Sequence, residues 1–122
     1  MNERILIVDG SALARRRARA ILEAGGYEVI EAEDGMAAIE RYFVDKPDVV
    51  MLDLVMKGMY GLEVLTKLRE IDPAVRVIVV SADVQSSSHQ MATDGGAAGF
   101  LVKPLDEQDA LSLVRRTLGS PR

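Results

Sequence analysis

Five short apolar runs, at residues 5–8, 27–30, 48–52, 75–80 and 99–102, are separated by segments that place apolar residues at helical spacing. This alternation constrains the fold most, because runs apolar at nearly every position suit strands covered on both faces by helices. The first, third and fourth runs are the most apolar and are expected at the centre of a parallel sheet. The second, Tyr27-Glu28-Val29-Ile30, alternates and is expected at an edge. Between the first two runs, Ala14, Ala18, Ile21 and Leu22 fall on one helix face, and Gly25-Gly26 ends that helix. A second helix follows Asp34, with Ala37, Ala38, Ile39 and Phe43 on its apolar side, and Pro47 closes the loop behind it. Leu62, Leu65 and Leu68 mark a third over 61–71, stopped by Asp72-Pro73. Ala110, Leu111, Val114 and Leu118 mark the last, ending at Gly119. The segment 84–94 has the least helical character, since it holds Ser86, Ser87, Ser88 and Thr93 and little apolar face. Strands alternating with helices predict a single α/β domain over 1–122 with right-handed crossovers, 119–122 being a tail or the start of a linker.

Composition excludes several classes. Cysteine is absent, which removes disulfide frameworks, thiolate metal sites and a cysteine nucleophile. The 15 basic residues against 19 acidic ones leave a net charge of −4, a balance against direct nucleic-acid binding, which depends on neutralising phosphates. No apolar run approaches the roughly 20 residues that span a bilayer, and no cleavage site follows Met1 to Arg4. A cytoplasmic protein that does not enter membranes is the expectation.

In open α/β sheets, sites form beyond the carboxyl ends of the strands. Asp9 follows the first run, Asp53 the third, Ser81 the fourth and Lys103 the fifth. Singly, a strand-end carboxylate is often a helix cap and a lysine a solvated charge. Two carboxylates, a hydroxyl and an ammonium collected on one sheet edge are a less accidental set. Asp9 beside Asp53 creates like-charge repulsion that a hard cation with oxygen ligands relieves, with Mg²⁺ favoured. Asp53 is then suited to attack phosphorus and form an aspartyl phosphate. Lys103 would pair with the phosphoryl oxygens, and Ser81 would donate a hydrogen bond to them.

These segments resemble the receiver domain of two-component response regulators over essentially the whole chain. The resemblance is carried by Ile5-Leu-Ile-Val-Asp9, Pro47-Asp-Val-Val-Met-Leu-Asp53, Gly58-Met-Tyr-Gly61, Val79-Val-Ser81-Ala82 and Lys103-Pro104. It implies a flavodoxin-like, doubly wound (βα)5 domain with strand order 2-1-3-4-5. It implies Asp53 as phosphoacceptor, Asp9 and Asp53 with the Val55 backbone carbonyl as the Mg²⁺ pocket, and Lys103 on the phosphoryl group. Ser81 and Phe100 are the implied switch residues, and Lys103-Pro104 the implied cis peptide. The implied partners are a histidine kinase or phosphotransfer protein, and a downstream protein or fused output domain. They would meet a binding face of segment 84–94, the fifth run and the last helix. A monomer or a phosphorylation-linked dimer is expected, promoting only its own aspartyl phosphorylation and dephosphorylation.

Three positions depart from the family pattern. Gly10 stands where a second acidic residue usually contacts the metal, so weakened Mg²⁺ binding is expected, with Asp9 or a water in the vacated space taking part of the coordination. Lys57 replaces a usual proline near the pocket, and Phe100 keeps an aromatic ring where tyrosine is common, without its hydroxyl. Gly10 motivates a second reading, a phosphate-independent interaction module of receiver fold. A phosphohydrolase is disfavoured because Val55 occupies the position of the acid/base aspartate. A flavin protein is disfavoured because no Ser/Thr-rich phosphate loop follows the first run. Arg15, Arg16, Arg17 and Arg19 form a basic stretch that is either a solvated helix face or a surface steering an acidic partner. His89 is expected at the surface, and Met51, Met56, Met59 and Met91 as core or loop fillers.

Overall fold

Strands and helices alternate through the chain: β1 Arg4–Val8, α1 Ala12–Ala24, β2 Glu28–Ala32, α2 Gly35–Asp45, β3 Val49–Asp53, α3 Gly61–Ile71, β4 Val77–Ser81, α4 Ser86–Asp94, β5 Gly99–Val102 and α5 Glu107–Leu118. The computed structural model describes residues 2–56, 58–82 and 86–119, with the backbone alone at 86 and 87. Lys57, part of segment 84–94 and the end of the 119–122 tail lie outside the described residues. All strand pairings are parallel, in the order β2-β1-β3-β4-β5. This is the doubly wound, flavodoxin-like order that the resemblance implies, with β2 at an edge.

Alternation along the strands divides the core in two. Leu6, Val8, Val50, Leu52, Val77 and Val79 face Ala38 and Tyr42 of α2, Val64, Leu65 and Leu68 of α3, and Ala92 of α4. Ile5, Ile7, Val49, Met51, Ile78 and Val80 face Ala18 and Leu22 of α1 and Ala110 and Val114 of α5. Every residue of β3 and β4 is buried, as the apolar runs require.

Helix starts follow local chemistry. Ser11, Asp34 and Asp106 each accept the backbone N–H three residues on, Ala14, Ala37 and Asp109, and satisfy an orphan donor of the first turn. On α2 the apolar face differs from expectation. Phe43 is 70 % exposed, and Tyr42, four residues after buried Ala38, takes the core position. Its hydroxyl donates to Asp72 Oδ2 at 2.8 Å, which satisfies the polar tip of a ring otherwise in the core. Among the described side chains of α4, only Ala92 is buried, and no other joins the core. Among the described residues no helix is long and apolar enough to cross a membrane.

The β3–α3 connection returns tightly onto the strand end. Gly61 donates its N–H to the Leu54 carbonyl at 2.9 Å, and a Cβ there would lie 2.5 Å from Leu54 Cα and 2.6 Å from the Asp53 carbonyl oxygen. Neither neighbour is a flexible side-chain end, so Gly61→Ala must push α3 off β3. Overpacking of this kind costs about 1–3 kcal/mol. A lower urea midpoint at unchanged denaturant slope is the expected result; a midpoint equal to the parent would show that the loop yields freely.

Candidate functional site

Strand hydrogen bonding outlasts strand hydrophobicity at the carboxyl edge. Asp53 and Ser81 are the last residues of β3 and β4, not the first residues beyond them, because pairing continues through Asp53↔Val80 and Ser81↔Val102. Asp9 lies one residue past β1 and is tied to β2 by its N–H, which donates to the Ala32 carbonyl at 3.1 Å. Lys103 lies one past β5, its N–H donating to the Ser81 carbonyl at 2.9 Å. The Lys103–Pro104 peptide bond is cis.

These anchors bring three of the four strand-end side chains into direct contact. Lys103 Nζ donates to Asp9 Oδ2 at 2.6 Å and to Asp53 Oδ2 at 3.2 Å. The remaining carboxylate oxygens are held by backbone: Ser11 N–H donates to Asp9 Oδ1 at 2.8 Å, and Val55 N–H to Asp53 Oδ1 at 3.2 Å. Ser81 is buried beside Asp53, one strand over on the same edge. Asp9 and Asp53 are buried too, at 6 % and 8 % exposure, which for charged groups requires this pairing.

Burial is the main influence on the Asp53 carboxyl and raises its pKa, helped by the nearby Asp9 charge and opposed by the Val55 N–H and by Lys103. Burial pulls the Lys103 ammonium the other way, but its hydrogen bonds and charge attraction to Asp9 and Asp53 outweigh it, so its pKa is raised. One ammonium therefore serves two buried carboxylates.

Two clefts open at this edge. One, of about 610 Å³, is lined by Asp9, Gly10, Glu33, Asp34, Val55 and Met56. Among the described residues beyond its chain neighbours, a Cβ at Gly10 would find only the Glu33 carbonyl within 4 Å, at 3.8 Å, so the space of the missing side chain is open there. The other, of about 340 Å³, passes from Asp9, Asp53 and Lys103 between Leu13, Ala14 and Arg17 of α1 and Pro104 and Leu105. The donors at these two clefts, the Asp9 and Asp53 carboxylates and the Val55 carbonyl, are hard oxygens suited to Mg²⁺, which commonly binds through one or two carboxylates and keeps several waters. The set fits that ion and is short of a third acidic ligand: among the described residues no group of three or more His, Cys, Asp or Glu is placed to hold a metal.

The other singled-out residues are placed in several regions of the fold. Phe100 sits earlier in β5, opposite Val79, half-buried against the α2–α3–α4 core. His89 is exposed on α4 as expected, and its ring stacks on Phe100 with centroids 4.7 Å apart. The arginine stretch splits. Arg15 and Arg19 donate to Glu31 Oε1 and Oε2 at 3.0 and 2.6 Å, whereas Arg16 and Arg17 are exposed. Arg15 also reaches the Asp9 backbone carbonyl at 2.6 Å, which sequence periodicity does not register. Met51 is buried and Met56 and Met59 pack on the core, but Met91 is exposed.

Comparison with known proteins identifies the family. The model of the response regulator receiver domain matches residues 5–115. The chain is 40 % identical over 119 residues to the chemotaxis protein CheY of Bacillus subtilis, covering 97 % of this chain and 99 % of that one. It is 32 % identical over 118 residues to sporulation initiation phosphotransferase F of the same organism, covering 97 % and 95 %. Among solved structures, it is similar to a CheX–CheY–BeF3–Mg²⁺ complex from Borrelia burgdorferi, with TM-score 0.89, 32 % identity and coverage of 93 % and 87 %. The chain belongs to the response regulator receiver domain family of two-component signalling.

Proposed function

We propose that this receiver accepts a phosphoryl group on Asp53 from a histidine kinase or phosphotransfer protein and thereby changes the surface formed by α4, β5 and α5. The observation that carries the proposal is the ammonium of Lys103 shared between Asp9 and Asp53 at the mouth of an open cleft. A carboxylate oxygen of Asp53 attacks phosphorus. The new bond is O–P, the broken bond is P–N of the donor phosphohistidine, and the departing imidazole takes the electron pair. Lys103 holds the developing charge on the phosphoryl oxygens, and the Ser81 hydroxyl donates to one of them. Asp9, Asp53 and the Val55 carbonyl would hold Mg²⁺, which supplies further charge neutralisation when bound. Catalysis of this kind is mostly positioning and electrostatics, and it serves self-modification, not turnover of external substrates.

The phosphodonor approaches along the cleft between α1 and Pro104, where exposed Leu13 and Arg17 offer apolar and cationic contacts. Phe100 and Ser81 connect the site to the output face. Gly10 favours one alternative, a receiver-fold interaction module that works without phosphate, because the third acidic ligand is missing. Intact-mass spectrometry after incubation with a small acyl phosphate, over a range of Mg²⁺ concentrations, separates the two. The expected result is one phosphoryl group gained by wild type. In Gly10→Asp the half-saturating Mg²⁺ should fall about tenfold, since about 1.4 kcal/mol from one added carboxylate suffices. A folded wild type that gains nothing at any Mg²⁺ concentration would overturn phosphoacceptance in favour of the module.

A further inference from the structure

We propose that Arg15 is a positioning residue for the phosphoacceptor site, fixing the Asp9 carboxylate through the backbone and not through a partner. The inference rests on the reading of Asp9 as part of that site. Asp9 precedes Gly10, which has no side chain to restrict the β1–α1 turn; among the described residues beyond its chain neighbours, the nearest atom to a would-be Cβ is the Glu33 carbonyl at 3.8 Å. Glycine has the most backbone freedom to lose, so the peptide joining residues 9 and 10 needs an external hold. Arg15 supplies it. Its Nη1 donates to the Asp9 carbonyl at 2.6 Å while its Nε donates to Glu31 Oε1 at 3.0 Å. Glu31 is anchored in turn: Arg19 Nε occupies its second oxygen at 2.6 Å, and that hydrogen bond is the main reason its pKa is lowered.

The guanidinium thus bridges edge strand β2 and the turn that carries Asp9. It fixes the carbonyl of the residue whose carboxylate meets Ser11 N–H and Lys103 Nζ. Arg15 is 15 % exposed, so it offers little charge to a docking protein, unlike exposed Arg16 and Arg17. A planar, forked donor is required for the two directions at once, and a lysine of equal charge cannot supply it.

Arg15→Lys is the discriminating variant, because it keeps the charge on α1 and loses the fork. Two readouts apply: hydrogen exchange of the Ser11 amide without metal, and Mg²⁺ affinity from amide-shift titration. Faster Ser11 exchange and Mg²⁺ affinity about tenfold weaker are expected, the size typical when a group that orients a ligand is removed. Gly10→Ala added to Arg15→Lys should recover much of both losses, since it restricts the same peptide and its Cβ has room. Unchanged exchange and unchanged affinity in Arg15→Lys would overturn the proposal, as would equal losses with and without Gly10→Ala. If Asp53 takes no phosphoryl group yet Ser11 exchange responds as stated, the positioning role stands and the phosphoacceptor reading alone fails.

Discussion

Asp53→Asn is expected to abolish phosphoryl uptake completely while making the protein more stable at neutral pH. The loss follows from nucleophile chemistry: the amide oxygen has no carboxylate charge with which to attack phosphorus. The gain follows from burial. Asp53 has a pKa raised chiefly by desolvation, so its ionised form is worse accommodated in the folded chain than in the unfolded one. For a carboxyl with a raised folded pKa, the stabilising contribution is full below the unfolded value of about 3.8 and is lost as pH rises through the folded value. At pH 7 the wild type therefore carries a cost that the neutral isostere lacks. Thermal midpoints should be a few degrees higher for Asp53→Asn at pH 7 and should converge below pH 4. Lys103 keeps its shorter bond to Asp9 in the variant, so the ammonium is not stranded. A site that trades stability for a reactive group behaves this way; an Asn variant less stable than wild type at pH 7 would mean that Asp53 is a structural ion-pair partner first.

Much of this arrangement is legible before any coordinates, and the parts that are not share a physical cause. Hydrophobic periodicity reports what is buried by apolar area, so it locates the five strands and the helices between them. It ends each strand one residue early at Asp53 and Ser81, because backbone pairing continues where hydrophobicity stops. It also ends β2 early: Glu31 looks like a loop residue but belongs to an edge strand, where Arg15 and Arg19 neutralise it. Phe43 against Tyr42 is the same failure in a helix. A scale ranking Phe above Tyr does not see that Asp72 accepts the hydroxyl and makes the tyrosine the better core residue. The strand order came from family resemblance, since spacing alone allows other doubly wound orders. Contacts between a long side chain and a distant backbone carbonyl, as from Arg15 to Asp9, have no periodic signature, so that part of the site is visible only in three dimensions.

The second large effect is expected on removing the shared cation. Lys103→Met keeps an unbranched apolar stem and deletes the charge between Asp9 and Asp53. Removing one partner of a buried pair costs about 3–5 kcal/mol; with the lysine side chain 27 % exposed, water offsets part of this, and about 2 kcal/mol is expected at neutral pH. The pH dependence has a definite sign. Lys103 has a raised folded pKa, so its contribution is fully present below the unfolded value of 10.5 and is lost as pH rises through the folded one. The gap between wild type and Lys103→Met should therefore hold through neutrality and close above about pH 10.5. Phosphoryl uptake from a small donor should slow about 10²-fold, the cost of one preorganised charged donor missing from the transition state, while Asp53 remains the modified residue. Uptake at the wild-type rate, with the stability gap present, would mean that Lys103 serves only to neutralise the resting carboxylates.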